Sequence, residues 1–332
     1  MRRLLLLSII LLTEISLQAQ PDAGKGKSPV SWNGYSQLRF TGNFNNINSF
    51  SVRRMKLWVQ SAPGFNEHWG FKLQTTLSSN QSEKFVLQDV MSFYRQGLLQ
   101  IKFGQFVPQF GLQWSQPDYT IPVVERANVS NVLIPDGTLG GRDIGIEANY
   151  GPAGNKWHIW GGAFNGNGIK EYNLINNGVL LTHKAALNLL NNHLYMGYSF
   201  MFRKAGQIHL SRILPDSIVY SGKDFRYNLF ASLNLNIIQL QAEYTWADLD
   251  GMKADGWYLL AAADLGKSQL VASWDNYNDL IINTENSHTL HLGYNYLLKG
   301  DNLKFMIDNG IVDYNRKRKD YFLTLQVQLF FM

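Results

Sequence analysis

Polar and apolar residues alternate one for one through long tracts of this chain. Trp69, Phe71, Leu73, Thr75 and Leu77 are interleaved with Lys72, Gln74, Thr76 and Ser78. Ile238, Leu240, Ala242, Tyr244 and Trp246 are interleaved with Gln239, Gln241, Glu243 and Thr245, and Tyr321 to Phe331 repeats the rhythm around Thr324, Gln326 and Gln328. A period of two sends successive side chains to opposite faces of a strand, so these tracts predict strands with one greasy and one wet face. Sixteen such segments are predicted, over residues 31–41, 51–61, 68–78, 84–94, 98–106, 143–150, 156–164, 183–190, 194–202, 225–235, 237–246, 255–264, 268–275, 287–296, 303–311 and 320–331.

The connections alternate in length. Those at 62–67, 95–97, 151–155, 191–192, 236, 265–267 and 297–302 are short, and those at 42–50, 79–83, 107–142, 165–182, 203–224, 247–254, 276–286 and 312–319 are longer. Short turns on one rim and long loops on the other, with an even strand number, is the layout of an outer-membrane barrel. The fold class expected is therefore all-β, a 16-stranded antiparallel transmembrane β-barrel over residues 31–332. A soluble β-sandwich also alternates, but it has no use for so many outward Trp and Tyr residues. The aromatic content of 13% suits the girdles at the two membrane interfaces. A mean hydropathy of −0.18 fits a barrel whose every second residue meets water. About sixteen strands also leave an aqueous channel, where eight would fill with side chains.

Arg2 and Arg3 precede an apolar run over residues 4–12, and Ala19 offers a small-residue cleavage site, so residues 1–19 are expected to be a secretory signal peptide. Residues 20–30 read as a mobile leader rich in Gly, Pro and Lys. Removing Arg2, Arg3 and Glu14 lowers the formal charge from +5 to +4, too mild for a nucleic-acid surface. The chain has no cysteine, so closed β pairing must hold the fold without disulfides.

Residues 107–142, the third long loop, contain Pro108, Pro117, Pro122 and Pro135 and show no sustained alternation. Their Trp114, Tyr119, Ile121, Val123, Val124, Val132, Leu133 and Ile134 are too apolar for a disordered segment. Folding into the lumen would bury them and narrow it; a lid on the outer surface is the alternative. Face assignment places Arg39, Arg54, Lys56, Lys72 and Lys102 inward on the first five strands, with Arg226 and Lys304 later, and Arg126 and Arg142 on the loop. Asp143, Glu147, Glu243, Asp275 and Asp308 are also assigned inward, so the bases are expected on one wall and the acids on the other. Such a field steers anions along the basic wall; the alternative is a charge-balanced lining that only keeps the lumen wet. The basic run Arg316 to Lys319 would attract anions at the outer mouth, or else be a solvated turn or bind lipid phosphates.

Nothing suggests chemistry. His288 and His291 point to opposite faces of a strand, and no GxSxG, HExxH or P-loop occurs. No catalytic residue, metal or cofactor is expected.

Several motifs, taken together, resemble one family. Residues 50–57, FSVRRMKL, are similar to the second-strand motif of the phosphate-selective porin O and P family. FGQFVPQFGL at 103–112 resembles its "GQFKPPFGLE" segment, Glu125-Arg126 with GRDIG at 141–145 its "ER…GRDIG" pair, and GAFNGNG at 162–168 its "GVFNGNG" strand end. The resemblance covers about residues 50–168. It implies a homotrimeric porin whose third external loop folds inside, passing phosphate along a ladder of Arg and Lys. Arg54, Arg126 and Arg142 fall within matching motifs; Arg39, Lys72 and Lys102 rest on face assignment alone, Lys56 is also among the pore-lining candidates, and Pro108, Glu125, Arg126 and Asp136 are the candidate constriction residues. The partners expected are outer-membrane lipid and lipopolysaccharide outside and small permeant anions inside. A broad-specificity pore and a non-conducting barrel whose loops bind a partner remain the other readings.

Overall fold

The computed structural model describes residues 30–43, 48–64, 66–79, 84–135, 141–151, 155–166, 168–169, 178–210, 212–215, 217–280, 286–314 and 318–331. The expected signal peptide, nearly all of the leader, Asp136, Arg316, Lys317 and Met332 lie outside the described residues.

The sixteen strands are β1 (Val30–Gly42), β2 (Asn48–Ser61), β3 (Trp69–Ser78), β4 (Lys84–Gln96), β5 (Leu99–Phe106), β6 (Asp143–Tyr150), β7 (Trp157–Phe164) and β8 (Leu180–Leu189). There follow β9 (Leu194–Ile208), β10 (Tyr220–Asn234), β11 (Ile238–Leu249), β12 (Met252–Leu265), β13 (Ser268–Asn278), β14 (Ser287–Asp301), β15 (Leu303–Tyr314) and β16 (Arg318–Phe331). A single helical turn, α1 (Asn128–Val132), interrupts the connection between β5 and β6. Each strand pairs antiparallel with its neighbours, and β1 closes the ring on β16, with Gly34 opposite Phe331 and Arg39 opposite Gln326. Closure leaves no strand edge unpaired, the only way a sheet satisfies its backbone in hydrocarbon.

Which face is buried settles what surrounds the ring. On β16, Thr324, Gln326 and Gln328 are 3%, 2% and 0% exposed, whereas Leu325 and Leu329 are 40% and 46% exposed. A protein in water would invert that order. Buried amides and exposed leucines belong together only when lipid wets the outside.

Several connections differ from expectation. The long loop expected at 247–254 is the two-residue turn Asp250-Gly251, at φ of 50° and 91°, with Asp248 Oδ1 accepting the Gly251 N–H at 2.6 Å. Asp-Gly tolerates positive φ and matches the twist of the flanking strands, so both strands run on into it. The expected loop at 203–224 shrinks to 209–219 because β9 and β10 extend, and Leu210, Ile213 and Leu214 within it are buried. The turn expected at 297–302 is Asn302 alone.

Two irregularities change which residues face inward. On β2, Gln37 of β1 faces Arg54 and Leu38 faces Val52, so Arg53 is an extra residue. On β4, Gln74 of β3 faces Asp89 and Thr75 faces Leu87, so Gln88 is extra. A β-bulge of this kind reverses face parity. It lets Arg53 and Arg54 both reach inward, and buries both Gln88 and Asp89. Without the bulge Arg53 would face lipid, at up to about 2–4 kcal/mol.

Candidate functional site

Within the connection at 107–142, the described residues 107–135 lie against inward-facing side chains around most of the ring. Glu243 on β11 accepts the backbone N–H groups of Leu112 and Gln113 at 3.1 and 3.0 Å, and Ser199 on β9 accepts that of Gly111 at 2.8 Å. Gly111 has φ +59°, and a Cβ there would sit 2.2 Å from Glu243 Oε1, so only glycine allows this approach. Lys184 on β8 donates to Gly111 O at 2.6 Å, Asn295 on β14 to Pro122 O at 2.7 Å, Lys304 on β15 to Tyr119 O at 2.7 Å, and Arg39 on β1 to Val124 O at 3.0 Å. Arg226 on β10 donates to Ile134 O, and its other nitrogens join Arg203 on Asp224, a fully buried cluster that fixes the end of the segment.

The segment leans on one side. Ile121, Val123, Ala127, Val129 and Leu133 share a hydrophobic core with Tyr258, Leu260 and Ala262 of β12, Val271 of β13, and Leu210 and Leu214. α1 rests on β12 and β13. Open space is left against β2, β3 and β4.

Two chambers with mostly polar walls occupy that space. The one nearer the long-loop rim, about 440 Å³, is lined by Arg53, Arg54, Thr76, Ser78, Lys84, Glu125 and Arg212 among others. The one nearer the short turns, about 300 Å³, is lined by Trp58, Gln60, Lys72, Gln74, Asp89 and Tyr119 among others. Lys56, Trp114, Asp118, Arg126 and Arg142 line both, and so mark where the chambers meet.

The basic and acidic walls expected from the sequence are not separate. Arg39, Arg53, Arg54, Lys56, Lys72, Lys102, Arg126 and Arg142 make ion pairs with four carboxylates, Asp89, Asp118, Glu125 and Glu147. The segment carries Asp118 and Glu125 into the basic wall, and the β4 bulge adds Asp89, because eight cations without counter-charge would repel one another in a confined space. Eight cations on four carboxylates still leave an excess of four positive charges. Asp118 touches Arg54 at 2.5 Å and also Lys56 and Arg126; Arg39 and Arg53 meet Glu125 at 2.5 and 2.7 Å; Arg142 and Lys72 meet Asp89 at 3.0 and 2.8 Å. Burial alone would raise the Asp118 carboxyl, but Arg126, Arg54 and Lys56 outweigh it and hold it well below the usual carboxylate range. Glu125 is likewise held down, burial being outweighed by Arg53 and Arg39. These carboxylates therefore keep their charge on moderate acidification.

The candidate residues are divided by this geometry. Lys56, Arg126 and Arg142 line both chambers, Arg54 lines the upper one alone, where it pairs with Asp118, and Lys72 lines the lower one alone. Arg39 and Lys102 line neither chamber: one braces the segment, and the other pairs with Glu147 at 2.9 Å. Pro108 is buried and lines neither, Glu125 lines the upper chamber, and Asp136 lies outside the described residues. Arg126 also holds the segment's own backbone, donating to Gln113 O at 2.9 Å and Gln116 O at 2.7 Å, with its guanidinium 5.2 Å from the Trp114 ring. Arg53, Asp89, Asp118 and Arg212 were not among the candidates. The Arg53-Arg54 pair, an unbroken charge doublet within an alternating strand, was the available sign of a bulge.

A ring greasy outside and polar within, enclosing two adjoining chambers narrowed by one connecting segment, has the build of a pore of the outer membrane, a porin. The model of the family phosphate-selective porin O and P matches residues 31–331, and the chain belongs to that family. Among solved structures, it is similar to the anion-selective porin from Comamonas acidovorans (TM-score 0.67, 12% identity, 91% of this chain and 99% of that one). It is also similar to OmpF of Salmonella typhi in complex with daunomycin (0.66, 10%, 91% and 97%) and to OmpT of Vibrio cholerae in its trimer form (0.61, 10%, 91% and 99%). At these identities the likeness concerns the fold. No curated protein matches the chain.

Proposed function

We propose that this porin is a passive diffusion pore preferring anions, phosphate among them, and that it works as a homotrimer. One observation carries the reading: where the chambers meet, four cations, Arg54, Lys56, Arg126 and Arg142, share two carboxylates, Asp118 and Asp89. Positive groups in a narrow, low-dielectric passage concentrate anions, and several weak sites in series let them leave again. Guanidinium and ammonium donors replace part of the hydration an anion gives up on entry. The homotrimer is supported by family membership and by the Vibrio cholerae OmpT described in a trimer form.

The half-neutralised ladder favours a general anion pore over a strictly phosphate-selective one as the second reading. Planar-bilayer recording decides among these. In a potassium chloride gradient the reversal potential is expected to show chloride preferred over potassium by on the order of tenfold, with insertion in threefold conductance steps. Added phosphate should lower the chloride current by competition. A cation preference, or no conductance, overturns the proposal; chloride preference without phosphate competition leaves the general pore.

A further inference from the structure

The lower chamber holds more than charge. Trp58, Tyr35 and Tyr119 line it together with Trp114. Two of these rings pack edge to face around the buried Tyr35, which lies 6.3 Å from Trp58 and 5.5 Å from Tyr119, while Phe330 lies 4.9 Å from Tyr119. Gln60, Gln74, Gln109 and Gln116 line the same chamber. Lys56, Lys72, Arg126 and Arg142 stand beside them.

An inorganic anion has no use for ring faces. It needs water and fixed positive charge, and the upper chamber, where Trp114 is the one ring among the described lining residues, offers that. A pyranose has what the lower chamber lacks a partner for: an apolar C–H face to lie on an aromatic ring, and hydroxyls that both give and accept hydrogen bonds with carboxamides. A chamber of about 300 Å³ is at the small end of ligand sites, sized for one sugar ring rather than a chain. The adjacent cations then require an acidic group on that sugar.

We infer that the lower chamber is a transit site for monosaccharides bearing a phosphate or a carboxylate. The sugar ring lies against the ring of Trp58 or Tyr119 while its anionic group meets Lys56, Lys72 or Arg142. This rests on the anion-pore reading and names a permeant class for the same passage. Such a site slows the solute without trapping it, because each contact is weak and open to water.

The test is block of the potassium chloride current in planar bilayers by glucose 6-phosphate, with inorganic phosphate as the ringless probe, and by glucuronate, with acetate as its counterpart. An acidic sugar is expected to block at about a fivefold lower concentration than its ringless counterpart, the factor one aromatic contact supplies. The pair showing the larger ratio identifies the anionic group. Trp58→Ala, or Gln60→Ala if the first variant assembles poorly, should bring sugar and ringless probe together. Equal block by both in the unaltered porin overturns the inference, and so does a ratio that neither variant changes. Both results would leave a measured chloride preference standing, whereas a cation preference in the same membrane would remove the reading beneath it.

Discussion

Exchanging Lys56 and Arg142 together for glutamate is expected to turn the pore from anion- to cation-preferring. Where the chambers meet, Arg54, Lys56, Arg126 and Arg142 stand with two carboxylates, Asp118 and Asp89. The double substitution leaves Arg54 and Arg126 against four carboxylates, so the local charge goes from two positive to two negative. The field in a narrow passage follows its fixed charge, and a reversal of this size moves the chloride-to-potassium ratio by about 100-fold, roughly tenfold on each side of neutrality. The control Lys56→Gln with Arg142→Gln removes charge without reversing it and should leave little preference. Arg126 is the poorer choice because it also ties down Gln113 O and Gln116 O, and its loss would confound charge with the shape of the passage. A reversal potential that barely moves in the glutamate variant would show that ions do not pass between these groups.

The second large effect concerns what holds the segment aside. Glu243 is 5% exposed and accepts two backbone N–H groups of the segment, with Asn228 supporting it at 2.7 Å. Glu243→Leu leaves both donors buried without partners, at roughly 1–3 kcal/mol each. The neighbouring tethers from Ser199 and Lys184 act on the same stretch, so the apolar core on β12 and β13 becomes the main restraint. Single-channel records of this variant are expected to show slow, large current fluctuations that the unaltered pore lacks, together with faster protease cleavage within 107–119. Glu243→Gln keeps an acceptor oxygen and should behave closer to the original. Steady currents in Glu243→Leu would mean the apolar packing alone holds the segment.

The ring itself was legible in the sequence because alternation is a direct image of a sheet wet on one face. Sixteen tracts gave sixteen strands, and they failed mainly at their ends, where Asp250-Gly251 reads as a loop by composition but turns as a hairpin by backbone geometry. Part of the site was less legible for a related reason. Face assignment carries parity along a strand, and one bulge reverses it, so Arg53 and Asp89 were assigned to neither wall although both reach the interior. Asp118 sits in a stretch without periodicity, where no local rule says what it faces. One signal was available and unused: β12 reads Trp257, Tyr258, Leu259, Leu260, Ala261, Ala262, apolar on both faces. A lumen-facing strand can be greasy on its inner side only where something covers it, and Tyr258, Leu260 and Ala262 are the residues buried beneath the segment.

The absence of cysteine permits a direct test of where the conducting path runs. Single cysteines at Gln60 in the lower chamber, Thr76 in the upper one, and Leu260 beneath the segment each introduce a unique thiol, and an anionic thiosulfonate added during bilayer recording reports which of them water and ions reach. The path between the segment and the β2–β4 wall predicts that current falls on modification at 60 and 76 and stays constant at 260. Silence at 60 and 76 with a falling current at 260 would place the pore on the other side of the segment and contradict it.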